Sequence, residues 1–208
     1  INNLDIHPSL SLCLGPCDIS VSEMVSAYTA FANKGIRATP IFVTRIEDNE
    51  GNTVAEFQPK MNEVISEESA YKMIVMLQGV MNGGTGSRMR NRYKIMADMG
   101  GKTGTTNDNS DGWFVGYTPQ LSFGAWVGGE ERDIHFASMA TGQGANSALP
   151  IVAQFLNKVF ADNTLGYSQE EKFDIPPGFD PCASVYGDDE EGDILEGIEQ
   201  IGLDELGN

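Results

Sequence analysis

The sequence predicts an α/β chain of the α+β type: an antiparallel sheet of at least three strands flanked by helices, with a small hairpin subregion and an acidic tail. Three observations predict it. Residues 95–105, 112–117 and 121–127 are consecutive strand-like runs, and the connections "NDNSD" and "TPQ" are too short for a parallel crossover, so neighbours are antiparallel. Two capped amphipathic helical patterns precede these strands and a third follows them. Between the first two helices, "IFVTRIED" and "TVAEF" flank the turn "NEGN", the signature of a β-hairpin.

The elements follow in order. Residues 1–18 hold Pro8, Gly15 and Pro16 without a sustained period and read as an irregular lead-in. Ser20 with Glu23 three residues later forms a capping box, Met24, Ala27, Tyr28 and Phe31 share one helical face, and Gly35 stops the helix. After the hairpin, Ser66 opens a helix whose first turn carries Glu67 and Glu68. Its apolar residues Tyr71, Ile74, Val75, Leu77, Val80 and Met81 run to the stop at Asn82, Gly83 and Gly84. After the three strands, Ser147 and Pro150 begin a helix whose apolar face of Ile151, Val152, Phe155, Leu156, Val159 and Phe160 is expected to cover the sheet. Beyond Ala161 the composition turns to "DIPPGFDP" and then to acids. The expected division is 1–160 for the lobe, 161–186 for a linker and 187–208 for a solvated acidic tail. In that tail Ile194, Leu195, Ile198 and Ile201 suggest a short amphipathic helix.

The 208 residues with 40% hydrophobic content suffice for one core. Thirteen basic against thirty acidic residues give a formal charge of -17, which repels phosphate backbones, so nucleic acid is not an expected partner. Nine of the acids fall in the last 21 residues, where there is no Lys or Arg. Neither a membrane span nor a signal segment is evident. Cys13, Cys17 and Cys182, with His7 and His135 far apart, make a poor zinc pattern, and a Cys13–Cys17 disulfide and free thiols both stay open. No metal and no cofactor are implied.

"GGKTGTT", from Gly100 to Thr106, carries the chemistry. A phosphate loop requires glycine at position 96, which is Met96, and requires a helix to follow, so that reading fails. A serine acyl-transferase strand fits better. A lysine ammonium at Lys102 gives a positive field for a carboxylate, and Thr103 and Thr105 point to the same side of a strand. Gly104 admits substrate backbone, and a backbone N–H at a strand edge can receive an oxyanion. Trp113, Phe114 and Trp126 read as sheet packing, Arg88 as a local structural cation, and His7 and His135 as ordinary polar positions. Gly83, Gly84 and Gly86 fit either a helix stop or a loop bordering a cleft.

The stretch "GGKTGTTNDNSDGWFVGYTP", with "FGAWVGGE" and "TGQGANSALPIVAQFL" after it and "HPSLSLCLGPCDISVSEMVSAYTAFANKGI" and "MLQGVMNGGTGSRMR" before it, resembles the C-terminal part of the transpeptidase domain of class A, bifunctional penicillin-binding proteins. The resemblance covers residues 8–160 and implies a partial domain of the β-lactamase/transpeptidase-like fold. It implies that Lys102 belongs to the active-site hydrogen-bond network and that Thr103 and Thr105, with Gly104 and Thr106 beside them, hold the terminal carboxylate of a D-Ala-D-Ala stem peptide or a β-lactam antibiotic. The Thr105 N–H is the implied oxyanion donor. The family's nucleophilic S-x-x-K and its S-x-N are not found. Ser69, Ala70, Tyr71 and Lys72 match S-x-x-K only formally, in a stretch that matches a later helix. The expected partners are stem peptides, β-lactams and the missing N-terminal part of the same domain, which would hold the nucleophile, a glycosyltransferase domain and the anchor to the extracytoplasmic (periplasmic) face of a bacterial inner membrane. The rival expectations are a non-catalytic peptide- or partner-binding module and a related D,D-carboxypeptidase or β-lactamase-type hydrolase.

Overall fold

The computed structural model describes residue 6, residues 9–15 and residues 17–180. His7, Cys182 and the acidic tail with its Ile194–Ile201 stripe lie outside them. The architecture is that of the compact unit ending at Pro177.

Helix α1 (Val21–Ala32) starts at the expected capping box: Ser20 Oγ accepts from Glu23 N at 3.2 Å, and Ser20 N donates to Glu23 Oε2 at 3.0 Å. Its deepest positions are Ser26 and Ala30, with the expected apolar face half-buried. Gly35 ends it with φ +91°, and a Cβ there would strike Ile65 O, so both conformation and space require glycine. Strands β1 (Ile36–Ala38), β2 (Arg45–Glu47), β3 (Thr53–Glu56) and β4 (Met61–Glu63) follow. The hairpin is β2 against β3, shorter than expected on its first arm, with a register shift between Ile46 and Glu47. The pairing of β1 with β4 was not expected from the sequence.

Helix α2 (Glu67–Asn82) is capped by Ser66 Oγ, which accepts from Ser69 N at 3.2 Å, and buries Ala70, Ile74, Leu77 and Met81. A four-residue helix α3 (Arg88–Asn91) follows. The central sheet is β5 (Gly100–Thr105), β6 (Asp111–Tyr117) and β7 (Ser122–Gly128), antiparallel in the order β5-β6-β7. Helices α4 (Met139–Gly142) and α5 (Ala148–Ala161) close the unit; on α5 Val152, Leu156 and Val159 are buried as expected, whereas Ile151 and Phe155 of the expected face turn outward and are exposed, and Leu149 takes a core place instead.

Register fixes the two faces, because directly paired residues point the same way. Thr103, Phe114 and Ala125 share one face, which packs on Leu149, Val152 and Leu156 of α5 and on Met81 and Met89. Each such aliphatic side chain contributes about 1.5–3 kcal/mol relative to exposure. Lys102, Val115 and Gly124 share the opposite face, where α1 lies close enough that a Cβ on Gly124 would sit 2.9 Å from Val25 Cγ2. Tyr117 on that face meets Ile74, Leu77 and Phe173 in a second cluster.

The expected strand from residue 95 begins only at Gly100. Ile95, Ala97 and Met99 are buried, but the bonds of this lead-in go elsewhere than to a strand: Ile95 N donates to Met89 O (3.0 Å), Arg90 Nη1 donates to Ile95 O (2.9 Å) and Ala97 O (2.5 Å), and Met96 N donates to Gln169 Oε1 (2.7 Å). These four bonds take backbone groups that a strand would otherwise pair in a ladder. Residues 166–174 lie along the body: Ser168 N donates to Gln120 Oε1 (2.9 Å), Phe173 N to Asp98 Oδ2 (3.2 Å), and the Phe173 ring meets Tyr117 edge-on at 5.7 Å. Cys13 and Cys17 are free thiols. Among the described residues no helix is long and apolar enough to cross a membrane.

Candidate active site

Among the described residues β5 has a strand partner on one side only. Thr106 N donates to Asp111 O at 3.1 Å, so 106–111 is a hydrogen-bonded pair. Such pairs alternate along an antiparallel ladder. Pairs 104–113 and 102–115 are therefore bonded, while the N–H and C=O of Thr103 and Thr105 point away from β6 toward the open edge.

Each expected residue can be placed on that edge. Lys102 is exposed, and its ammonium curls round to donate to the outward Thr103 O at 2.9 Å. The Thr103 hydroxyl, on the opposite face of the strand from Lys102, lies 2.6 Å from Thr85 Oγ1. Gly104 sits against Trp113, whose Cβ would be 3.0 Å from any Cβ added there. Thr105 Oγ1 accepts from Gly144 N at 3.1 Å. Thr106 turns away from the edge: its hydroxyl accepts from Asp111 N (2.8 Å) and donates to Asp111 Oδ2 (3.0 Å), locking the β5–β6 turn. The Lys102 ammonium thus meets the outward Thr103 O at the edge, the Thr103 and Thr105 hydroxyls lie on the strand's other face, and the Thr106 hydroxyl is engaged in the turn.

The turn is fixed electrostatically. Burial raises the Asp111 carboxyl, but bonds from Trp126, Thr106 and Ser110, with Arg132 nearby, outweigh it and hold the group below the usual carboxylate range. Trp126 Nε1 donates to Asp111 Oδ1 at 2.8 Å, so this tryptophan braces the sheet end, and Phe114 is buried in the core. Asp108 and Asn109 supply consecutive left-handed residues in the turn, with φ of 58° and 59°, a conformation Asn and Asp adopt more readily than other non-glycine residues.

Two residues with no sequence motif border the edge. Thr85 comes from the loop after α2, so Gly83, Gly84 and Gly86 both end the helix and carry a neighbour of Thr103. Gly144 packs beneath β5 and β6, where a Cβ would run into Trp113 O and Gly104 O. Arg88 Nη1 donates to Ala145 O at 3.4 Å, the structural role its position suggested. In the sequence Thr85 and Gly144 stand only inside the stretches "MLQGVMNGGTGSRMR" and "TGQGANSALPIVAQFL" that carry the resemblance, with no role of their own assigned.

Ser69 and Lys72, the formal S-x-x-K match, lie in the first turns of α2. Ser69 Oγ accepts from Ser66 Oγ at 2.9 Å within the helix start, and Lys72 pairs with Glu68 at 3.0 Å. Among the described residues no cluster of three or more His, Cys, Asp or Glu side chains could hold a metal. Two surface concavities, of about 610 and 220 Å³, lie beside Arg45 and Glu56 and beside Tyr71 and Phe173, so the β5 site is an open edge, not one of these cavities. The chemistry available here is binding of an anion and donation of a backbone N–H to a developing negative charge.

The penicillin binding protein transpeptidase domain model matches residues 7–161. Penicillin-binding protein 1A of Aquifex aeolicus is 34% identical over 173 residues, 83% of this chain and 22% of that protein. The chain thus spans about a fifth of the length of the curated relatives it matches. The crystal structure of penicillin-binding protein 1A from Haemophilus influenzae superposes with a TM-score of 0.73 at 23% identity, covering 88% of this chain and 33% of that one. A penicillin-binding protein 3 from Mycobacterium tuberculosis, complexed with ampicillin, superposes with a TM-score of 0.54 at 20% identity over 82% of this chain and 40% of that one. The last two likenesses concern the fold.

Proposed function

Because this chain belongs to the penicillin-binding protein transpeptidase family, we propose that it supplies the K-T-G side of a serine-type peptidoglycan D,D-transpeptidase that cross-links stem peptides and is acylated by β-lactams. The observation that carries this reading is the open edge of β5, which presents the outward Thr105 N–H, with the Lys102 ammonium on Thr103 O and the Thr103 and Thr105 hydroxyls together on the strand's other face. The nucleophilic serine lies in the part of the domain outside this chain. Its Oγ attacks the penultimate D-Ala carbonyl carbon, and the carbonyl oxygen becomes an oxyanion that the Thr105 N–H receives. The C–N bond to the terminal D-Ala breaks, and that amine leaves with the proton taken from the serine. An amine from a neighbouring stem peptide then attacks the acyl ester and returns the proton to the serine oxygen.

Lys102 biases these proton transfers by its field, and Thr103 and Thr105 hold the donor's terminal carboxylate. Gly104 leaves room for substrate backbone, and Thr106 acts through the Asp111 turn. No metal or organic cofactor enters. The setting is the extracytoplasmic face of a bacterial inner membrane, with the anchor in a segment outside this chain. Product analysis of the full-length protein tests the reading, using a D-Ala-D-Ala stem peptide and an added amine acceptor. Cross-linked product with release of D-Ala is expected. Hydrolysis alone identifies a carboxypeptidase, and no turnover identifies a non-catalytic module.

A further inference from the structure

Thr103 and Thr105 each have a hydrogen-bond partner on the same side of β5, and the one on Thr105 fixes which way its hydroxyl proton points. The Gly144 N–H can only donate, so Thr105 Oγ1 accepts there and its own proton is left for another group. Thr103 Oγ1 lies 2.6 Å from Thr85 Oγ1, and the same polarity results when Thr85 is the donor. A carboxylate can only accept, so a hydroxyl whose oxygen already accepts from a neighbour has its proton left to donate to one. The two supporting segments are joined to each other: Arg88, three residues after Thr85, donates to Ala145 O, next to Gly144. Lys102 stands on the other face of the strand, and Arg88 is the cation whose contacts tie it to the threonine face.

Resting on the transpeptidase reading above, we infer that Thr85 is a positioning residue for the carboxylate of the acyl donor. It acts by donating to Thr103, while Arg88 holds the Gly144 amide in the matching role for Thr105. The device selects anionic acyl donors over neutral ones. The test compares acylation rates of the full-length protein with a penicillin and with its carboxyl methyl ester. Thr85→Val lowers the rate with the acid about fivefold, the factor one net hydrogen bond carries, and leaves the ester unchanged. Thr85→Ser restores the parent acid-to-ester ratio. Arg88→Gln lowers the same ratio, and it serves as the test if Thr85→Val does not fold. An unchanged ratio in a folded, acylated variant, or acid and ester rates falling together, overturns the inference and leaves the transpeptidase reading standing. A parent protein acylated by neither compound overturns both.

Discussion

Gly144→Ala measures how tightly the segment between α4 and α5 supports β5. The glycine is not in a left-handed conformation, so alanine brings no backbone strain, and the whole effect is steric. Its Cβ would overlap Trp113 O and Gly104 O and lie 2.9 Å from Trp113 N, the groups that close the 104–113 pair. Either that ladder bond opens or residues 142–146 move off the sheet, which removes the Gly144 bond to Thr105. Overpacking of this kind costs about 1–3 kcal/mol, and each lost hydrogen bond adds about 1 kcal/mol. A total of about 3 kcal/mol, at about 2–4 °C per kcal/mol for a chain of this size, lowers Tm by about 6–12 °C. Thermal unfolding followed by circular dichroism reads it, with Gly83→Ala as control, since nothing lies within 4 Å of a Cβ there. A Gly144→Ala Tm within about 2 °C of the control, on the same ~2–4 °C scale, would refute the packing argument.

Gly79 is exposed inside α2 with open space around it, so Gly79→Ala stabilises by about 0.5–1 kcal/mol, seen as a higher urea midpoint. An unchanged or lower midpoint contradicts this. Asp111→Asn removes a carboxylate whose folded pKa is depressed, and such a group contributes stability above its ordinary pKa that is lost as pH falls through the folded value. The stability gap between parent and variant is therefore widest near neutral pH and narrows as pH drops below about 4, and urea midpoints that keep a constant gap would disprove it. Phe173→Ala empties a buried site against Tyr117 and costs about 3–5 kcal/mol, whereas a loss under about 1 kcal/mol would mean that residues 166–174 do not support the core.

Much of this architecture is written in local signals. Ser20 with Glu23, and Ser66 before Glu67, state where α1 and α2 begin, because a cap acts over three residues of contiguous chain. The period of two in K-T-G-T places Thr103 and Thr105 together and Lys102 opposite them. What escaped sequence reading depends on distant partners. Strands β1 and β4 are three residues each, too short for a pattern, and meet across the intervening hairpin. The stretch 95–99 has strand composition, yet Arg90 and Gln169 take its backbone bonds. Residues 166–174 read as linker because one aromatic, Phe173, carries most of their apolar contact. Thr85 and Gly144 lie in stretches that carry the family resemblance, but their own place is legible only where the fold sets them against Thr103 and Thr105.

The most direct test of the account is fluorescent penicillin labelling, with intact-mass analysis, of the 208-residue chain beside the full-length protein. The account predicts one adduct per full-length molecule, mapped to a serine outside this chain, and none on the chain alone. A stoichiometric adduct on Ser69 or any other serine of the 208 residues would contradict it, because the β5 edge would then belong to a complete acyl-enzyme whose nucleophile lies within this sequence.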